Sequence, residues 1–226
     1  MGSDNSYEVS VEISGPTAMW TRPDTGDVPV SYPVPTYGAV KGIFECILLS
    51  DWAEVVPTKV EICAPIQFHV YNTNYGGPLR KSKLLKSGAS YQLLATVLTD
   101  VCYRCYANVK STPGEDGGNY LKRGVREQTR EVRGTTNGAH AYQARFNRRL
   151  KCGQMHYMPC LGWKEFMPDY VGQFRPETRV CEDINVVIPS MLKTCFPAGK
   201  NSAWKPDFYR PNRPAVISKG VLIYAQ

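Results

Sequence analysis

Hydrophobic residues recur with two different periods along this chain, and the order of these periods restricts the fold more than any other feature. One set of apolar residues has the i, i+3, i+4, i+7, i+8 spacing of an amphipathic helix: Val40, Ile43, Phe44, Ile47 and Leu48. Thr36, which follows a proline, is the expected N-cap of this helix. A second helix is predicted at 140–152, with Tyr142 and Phe146 facing inward and the arginines facing outward.

Strands are predicted where β-branched and aromatic residues are dense. These segments are 7–13, 59–71 with a break near Pro65, 91–109, 185–191 and 216–225. The Ser-Gly-Pro that follows residue 13 is expected to end the first strand. Turn-forming residues and the absence of periodicity predict loops at 20–35, 72–79 and 111–138.

The resulting order is β, α, β, β, α, β, which predicts an α+β fold. It resembles a ferredoxin-like, or RRM-like, domain with a small C-terminal antiparallel β sheet. We place a ferredoxin-like RNA-binding domain at residues 1–170, with a basic loop at 111–138, and a C-terminal β-sheet subdomain at 171–226. Folds of this class are compatible with RNA recognition, although a fold alone does not name a function.

The net charge of +7 is concentrated in one segment. Residues 121–151 contain nine Lys or Arg against two Glu, which is +7, so the rest of the chain has 18 basic and 18 acidic residues. A concentrated basic patch on an otherwise balanced protein indicates a polyanionic partner. The 42% hydrophobic content over 226 residues is enough for a packed core and excludes intrinsic disorder.

The eight cysteines are predicted to be free thiols, because the N-terminus shows no signal-peptide pattern. Cys102 and Cys105 have the CxxC spacing of metal sites, but residues three apart on a strand point to opposite faces. We therefore predict neither a metal nor a cofactor. No apolar run approaches the roughly 18 residues of a membrane-spanning helix, so no membrane association is predicted and the cytoplasm is the expected location.

Three ordered stretches carry a family resemblance. They are GPTAMWTRP at 15–23 with SYPVPT at 31–36 and AVKGIFE at 39–45; FNRR at 146–149 with Gly153-Gln154; and LGWKEF at 161–166. Together they resemble the Cas-five protein of type I-C CRISPR systems, the d subtype, in the RAMP superfamily. The resemblance extends over about residues 8–170, and ordered motifs across most of a chain are more specific than one short pattern.

The resemblance implies a subunit of a CRISPR interference complex, Cascade, in antiviral defence. In that complex the family holds the 5′ handle of the guide RNA (crRNA) beside the large subunit and the backbone filament subunit, and target DNA is met only through the complex. In the d subtype the same protein is also a metal-independent endoribonuclease that cuts the precursor RNA at the repeat hairpin.

The residues that would carry this cleavage differ from the family pattern. The family uses a tyrosine at the end of the first helix and a Lys-His pair before the Phe-x-Arg-Arg motif, and these positions hold Leu48, Ala141 and Tyr142 here. Leu48 and Ala141 do not titrate, and a phenol with a pKa of about 10 is a poor base. A local shift instead places His140 on the family's histidine, which leaves His140 and Tyr142 as catalytic candidates.

RNA binding needs cations and stacking surfaces rather than an acid–base pair. The candidate phosphate contacts are Arg145, Arg148, Arg149 and Lys151 on the second helix, together with Lys41, Arg22, Lys122 and Arg123. The candidate base-stacking residues are Trp20, Tyr32 and His156.

We therefore expect an RNA-binding subunit of a type I interference complex, and two alternatives remain open. One is the endoribonuclease, which would combine His140 and Tyr142 with a basic partner such as Lys122 or Arg145. The other is a basic scaffold whose only partners are acidic proteins.

Overall fold

The computed structural model describes residues 7–50, 53–75, 86, 91–111, 138–195 and 205–224. In these ranges the helices of the fold are α1 (Tyr37–Ile47) and α2 (Gly138–Lys151). The strands are β1 (Tyr7–Ala18), β2 (Ala53–Ile62), β3 (Phe68–Tyr75), β4 (Tyr91–Ser111), β5 (Tyr170–Gly172), β6 (Val186–Ile188), β7 (Met191–Thr194), β8 (Asp207–Tyr209), β9 (Ala215–Ser218) and β10 (Val221–Ile223). No described helix is long and apolar enough to cross a membrane.

One antiparallel sheet holds most of the described strands, in the order β5-β1-β4-β2-β10-β9-β6. The first half of the long strand β4 also pairs with β3, while β7 and β8 form a separate two-stranded sheet. The predicted α+β class is confirmed. The predicted break near Pro65 divides the segment 59–71 between two strands, β2 and β3, so three strands rather than the expected two lie between the helices.

The C-terminal strands join the main sheet through β10, which pairs with β2 at Val221 and Glu61. The boundary predicted between residues 170 and 171 falls inside β5, which pairs with β1. Strand β5 therefore belongs with the first unit, and the C-terminal segment contributes β10, β9 and β6 to the main sheet as well as the separate β7–β8 pair.

Strand β1 is longer than predicted, because the Ser-Gly-Pro sequence does not end it. Thr17 still pairs with Thr99 beyond Pro16, which lies opposite Asp100. Asp100 has a positive φ of 51°, so the regular conformation of β4 is interrupted opposite Pro16. A proline without an N–H group is tolerated where the ladder is already interrupted.

Strand pairing also explains why two further segments differ from their predictions. The predicted loop at 72–79 begins as strand, since β3 continues to residue 75 through pairs such as Asn72 with Leu94. The predicted strand at 216–225 is a hairpin of β9 and β10, in which Lys219 (φ 49°) and Gly220 (φ 72°) form the turn. Two consecutive left-handed residues suit the twist of a two-residue hairpin turn.

Both helices pack on one face of the sheet, as their hydrophobic spacing predicts. The hydroxyl of Thr36 accepts a hydrogen bond from the Ala39 N–H at 3.2 Å, which confirms this residue as the N-cap of α1. Phe44 of α1 and Phe146 of α2 are in contact, with ring centroids 5.5 Å apart. Tyr142 and Phe146 are buried, so the inward face predicted for α2 is also confirmed.

The face of the sheet opposite the helices is covered by the segment that follows β5. Its central group is Glu12 of β1, which is completely buried. The carboxylate accepts hydrogen bonds from Arg104 at 3.2 Å, from Arg175 at 2.6 Å and from the Thr178 hydroxyl at 2.8 Å. Burial alone would raise the pKa of Glu12, but these hydrogen bonds outweigh it and hold the pKa below its ordinary value.

Candidate nucleic-acid interface

The carboxyl-terminal half of α2 carries the densest positive charge in the described part of the chain. Arg148 and Lys151 are exposed, whereas Arg145 and Arg149 are half-buried. Burial lowers the pKa of Arg145, and the nearby charges of Arg149 and Arg148 lower it further. Within the described residues, the ion pairs include none with Arg148, Arg149 or Lys151. Arg148 and Lys151 are therefore available to an external anion.

Arg149 has a structural contact that the sequence does not reveal. Its Nη1 donates a hydrogen bond to the Ile47 carbonyl at 2.9 Å, at the last turn of α1. The prediction that the arginines of α2 point outward is thus right for Arg148 and wrong for Arg149. A guanidinium at the carboxyl end of a helix both satisfies a free carbonyl and complements the helix dipole.

The loop after α2 brings aromatic rings to the same end of α1. The chain leaves α2 through Gly153, which has a φ of 65°, and the N–H groups of His156 and Tyr157 both donate to the Cys46 carbonyl at 2.9 Å. The side chain of His156 is exposed, and that of Tyr157 is 68% exposed. Their ring centroids are 4.6 Å apart in an edge-to-face arrangement. The backbone bonds hold this pair of rings in place while leaving their faces open to solvent.

We call the set of Arg148, Lys151, His156 and Tyr157 the basic end of α2. It combines exposed cations, which bind phosphates, with exposed rings, on which bases stack. His156 was predicted from the sequence, whereas Tyr157 was missed, although it is the next residue in an aromatic-rich run. These two rings are exposed, whereas the other aromatic candidates are buried.

Trp20 and Tyr32 lie in the core and present no ring face to solvent, with 3% and 2% exposure. The Trp20 indole N–H donates to the Tyr103 hydroxyl at 3.3 Å, and the Tyr32 hydroxyl accepts from the Leu192 N–H at 3.1 Å. The structure therefore argues against both as base-stacking residues. Their loop is polar in sequence, but it folds back over the hydrophobic core.

Two of the predicted phosphate contacts have their charge compensated within the protein. Lys41 forms an ion pair with Glu54 at 2.7 Å, and Arg22 forms one with Asp24 at 2.8 Å that includes a second hydrogen bond at 3.1 Å. Both are weaker candidates than the cations of α2. Lys122 and Arg123, like most of the predicted basic loop at 111–138, lie outside the described residues.

The catalytic positions implied by the family resemblance are brought together, but their contacts are structural. Leu48 and Tyr142 are buried, and the Tyr142 hydroxyl donates to the Leu48 carbonyl at 2.6 Å. Burial raises the pKa of Tyr142 above its ordinary value, so this phenol is not a base near neutrality. Ala141 supplies only a methyl group. The exposed His140 lies against Tyr7, with ring centroids 5.7 Å apart.

The CxxC pair is divided between the two faces of β4. Cys105 is completely buried on the face that meets the helices, whereas the Cys102 sulfur lies 3.8 Å from Arg175 Nη2 on the opposite face. Among the described residues, no group of three or more His, Cys, Asp or Glu side chains is placed to hold a metal ion.

Curated proteins with similar sequences have names that agree with the resemblance. Two are named CRISPR pre-crRNA endoribonuclease Cas5d. The one from Thermus thermophilus is 27% identical over 162 residues, which is 70% of this chain and 61% of that protein. The one from Mannheimia succiniciproducens is 30% identical over 175 residues, with 70% and 69% covered. The aligned region thus spans less than two thirds of the Thermus protein.

Several solved structures share the fold. A crystal structure of a CRISPR-associated protein matches with a TM-score of 0.66 at 18% identity, and a functionally uncharacterized protein from Streptococcus mutans matches with 0.63 at 18%. Both matches cover 97% of this chain and 92% of the other. A chain of a CRISPR RNA-guided surveillance complex matches with 0.50 at 15%, covering 95% and 91%.

The model of one protein family, described as CRISPR-associated protein (Cas_Cas5), d subtype, matches residues 9–199, which is most of the chain. Together with the two curated relatives, this match shows that the protein belongs to the Cas5 family of CRISPR-associated proteins, of the d subtype found in type I-C systems.

Proposed function

We propose that this chain is an RNA-binding subunit of a type I CRISPR interference complex, where it holds the 5′ handle of the crRNA. The observation that carries the proposal is the basic end of α2, in which cations without an ion pair among the described residues lie beside exposed rings. The names of the relatives and of one structural neighbour, a CRISPR RNA-guided surveillance complex, support the same assignment.

The strand order supports a ferredoxin-like architecture for the RNA-binding part. Strands β5-β1-β4-β2 are antiparallel, α1 connects β1 to β2, and α2 lies between β4 and β5 in sequence. A split βαβ unit of this kind places both helices on one face. The partners in this proposal are the large subunit and the backbone filament subunit, with target DNA met through the complex and the cytoplasm as the location.

Within the basic end of α2, Arg148 and Lys151 contact phosphates, and His156 and Tyr157 stack on bases. Arg145 strengthens the local field without being fully exposed. Arg149 stays bound to α1, so its replacement would disturb the fold as well as the charge. Arg148 and Lys151 are therefore the better pair for a test.

The test is a binding titration of the crRNA repeat with Arg148→Glu and Lys151→Glu, singly and together. Each change removes one phosphate contact, so we expect weaker binding and a slope of log K against log salt that is smaller by about 1 per contact. Arg179→Glu is the matched control. This exposed arginine is next to Thr178, which contacts Glu12 on the face of the sheet opposite the helices.

Equal binding and equal salt slopes for the α2 variants and the control would contradict the assignment of Arg148 and Lys151 as phosphate contacts. Wild-type protein that retains no RNA, but co-purifies with acidic protein subunits, would instead favour the scaffold alternative. The endoribonuclease alternative is favoured by the names of the two curated relatives. It is opposed by Leu48, Ala141 and Tyr142, none of which supplies a base or a cation.

A further inference from the structure

A second concentration of positive charge lies in a cavity of about 200 Å³ beside β7 and β8, and no residue of α2 is among its lining residues. Its cationic lining residues are Lys193 of β7 and Arg210 and Arg213 of the turn that follows β8. Asn212 adds an amide, and Asp207 is the acidic residue of the lining. Within the described residues, the ion pairs include none of these groups, so the cavity has a net charge of +2, from three cations and one carboxylate.

A closed turn sets the positions of the two arginines. The Arg213 N–H donates to the Arg210 carbonyl at 2.7 Å, and Pro211 fixes the backbone between them. Two guanidinium-bearing residues are therefore held at the ends of one four-residue turn, and Lys193 of β7 lines the same cavity. Like charges held together repel one another unless an anion lies between them, so this arrangement favours anion binding.

The size of the cavity restricts the anion. Pockets for whole small-molecule ligands usually measure about 300–1,000 Å³, so this cavity is too small for a nucleotide. It has room for a phosphate group with part of its sugar. Arginine is the residue whose planar donors best match phosphate oxygens, and two arginines line this cavity.

The position of the cavity relates it to the basic end of α2. Lys193 Nζ lies 5.8 Å from the Tyr37 ring, at the first residue of α1. The basic end of α2 is bonded instead to the last turn of α1, through the N–H groups of His156 and Tyr157, which donate to the Cys46 carbonyl. Because α1 has 11 residues, its two ends are about 16 Å apart.

We propose that Lys193, Arg210 and Arg213 bind a backbone phosphate of the same RNA, at the opposite end of α1 from the first contact. This inference rests on the proposed function. With one phosphate per roughly 3.4 Å along a stacked strand, the length of α1 corresponds to about five phosphates. The protein would then bind its RNA at two points, which sets the orientation of the RNA strand along α1.

The experiment compares Arg210→Glu and Arg213→Glu with Arg179→Glu, which has the same charge change on the other face of the sheet. Both test residues are exposed, so folding should be preserved and is checked by thermal unfolding. We expect each test variant to bind crRNA repeat less tightly, with a salt slope smaller by about 1, and Arg148→Glu combined with Arg213→Glu to lose about 2.

Three results would count against the inference or separate it from the proposed function. If Arg148→Glu weakens RNA binding while Arg210→Glu and Arg213→Glu behave like the control, the cavity contact is wrong and the proposed function stands. If DNA of the same sequence depends on Arg213 and RNA does not, the RNA assignment is overturned. If wild-type protein binds no RNA, the proposed function is wrong, and the anion site is tested by itself with inorganic pyrophosphate. Shifts of the Arg210 and Arg213 Nε–H signals in NMR spectra would show that the site binds an anion, and unchanged signals would show that it does not.

Discussion

The buried carboxylate of Glu12 connects separate parts of the chain on the sheet face opposite the helices. Arg104 reaches it from β4, and Arg175 and Thr178 reach it from the segment after β5. Arg104 also donates to the carbonyl oxygens of Arg175 and Thr178, at 2.9 and 3.0 Å. A carboxylate that accepts this many hydrogen bonds fixes the position of the segment that carries Arg175 and Thr178.

Glu12→Gln should lower the free energy of unfolding by about 3 kcal/mol at neutral pH, because it leaves two guanidinium groups without their anion. The folded pKa of Glu12 lies below its ordinary value of 4.5, so this stabilisation is complete above that pH and is lost as the pH falls through the folded pKa. Urea unfolding of the variant and wild type should therefore converge in acid.

Glu8→Gln on the same strand is the control, since this glutamate is exposed. Its unfolding free energy should stay within about 0.5 kcal/mol of the wild type. A loss for Glu12→Gln that is as small as this, or that persists unchanged at pH 3, would show that the carboxylate does not stabilise the fold as an anion.

For the candidate site, the sequence predicted which types of residue take part but not which of them are buried. The cations of α2 could be predicted, because a helix period and a charge cluster are both local patterns. The burial of Trp20 could not, because it depends on Met19 pairing with Leu161 through a 2.8 Å backbone hydrogen bond. The pairing of Arg22 with Asp24 is a local contact that the sequence places within reach.

The carboxyl end of α1 is the element that organises the candidate interface. Its last carbonyls accept from Tyr142, from Arg149 and from the backbone N–H groups of His156 and Tyr157. Helix ends leave carbonyls without partners inside the helix, and here α2 and its following loop supply the donors. The same contacts that complete the helix therefore set the exposed rings beside the cations.

Tyr142→Phe tests the structural role of this hydroxyl. Removing a buried donor should leave the Leu48 carbonyl unpaired and lower the free energy of unfolding by about 1–2 kcal/mol. Because the phenol stabilises α1 and does not contact RNA in our proposal, repeat-RNA affinity should remain near that of wild type.

Tyr157→Phe is the matched control, since it removes a hydroxyl from an exposed ring and should leave stability unchanged. Chemical denaturation and RNA titration of both variants give the comparison. RNA affinity that falls in Tyr142→Phe at unchanged stability would contradict the structural role.

Elements with local signals were predicted well, and elements defined by pairing were not. The spacing of apolar residues and the cap at Thr36 were sufficient for α1. The β9–β10 hairpin was missed because its turn at Lys219 and Gly220 separates two apolar stretches so short that the pattern predicts a single strand. Strand β1 was cut short because Pro16 signals an end unless its partner strand kinks at Asp100.

In the described part of the molecule, one group of cations is associated with each end of α1. One group belongs to α2 and the other to the C-terminal strands, which reach the helix through β7. The net charge of the sequence predicted the first group only, because the second is assembled from Lys193 and a turn about 17 residues later. Charges that are distant in sequence form a site only after the sheet has brought their strands together.

The whole protein should bind its repeat RNA without cutting it. We expect purified protein, incubated with labelled repeat RNA in EDTA, to shift the RNA on a native gel and to leave it intact on a denaturing gel. The reason is that Leu48, Ala141 and Tyr142 supply neither a base nor a cation for the 2′-hydroxyl attack. His140→Ala is run beside the wild type. A single cut near the hairpin base that His140→Ala abolishes would show that the acid–base chemistry has been rebuilt around the exposed histidine, and that the chain is an endoribonuclease.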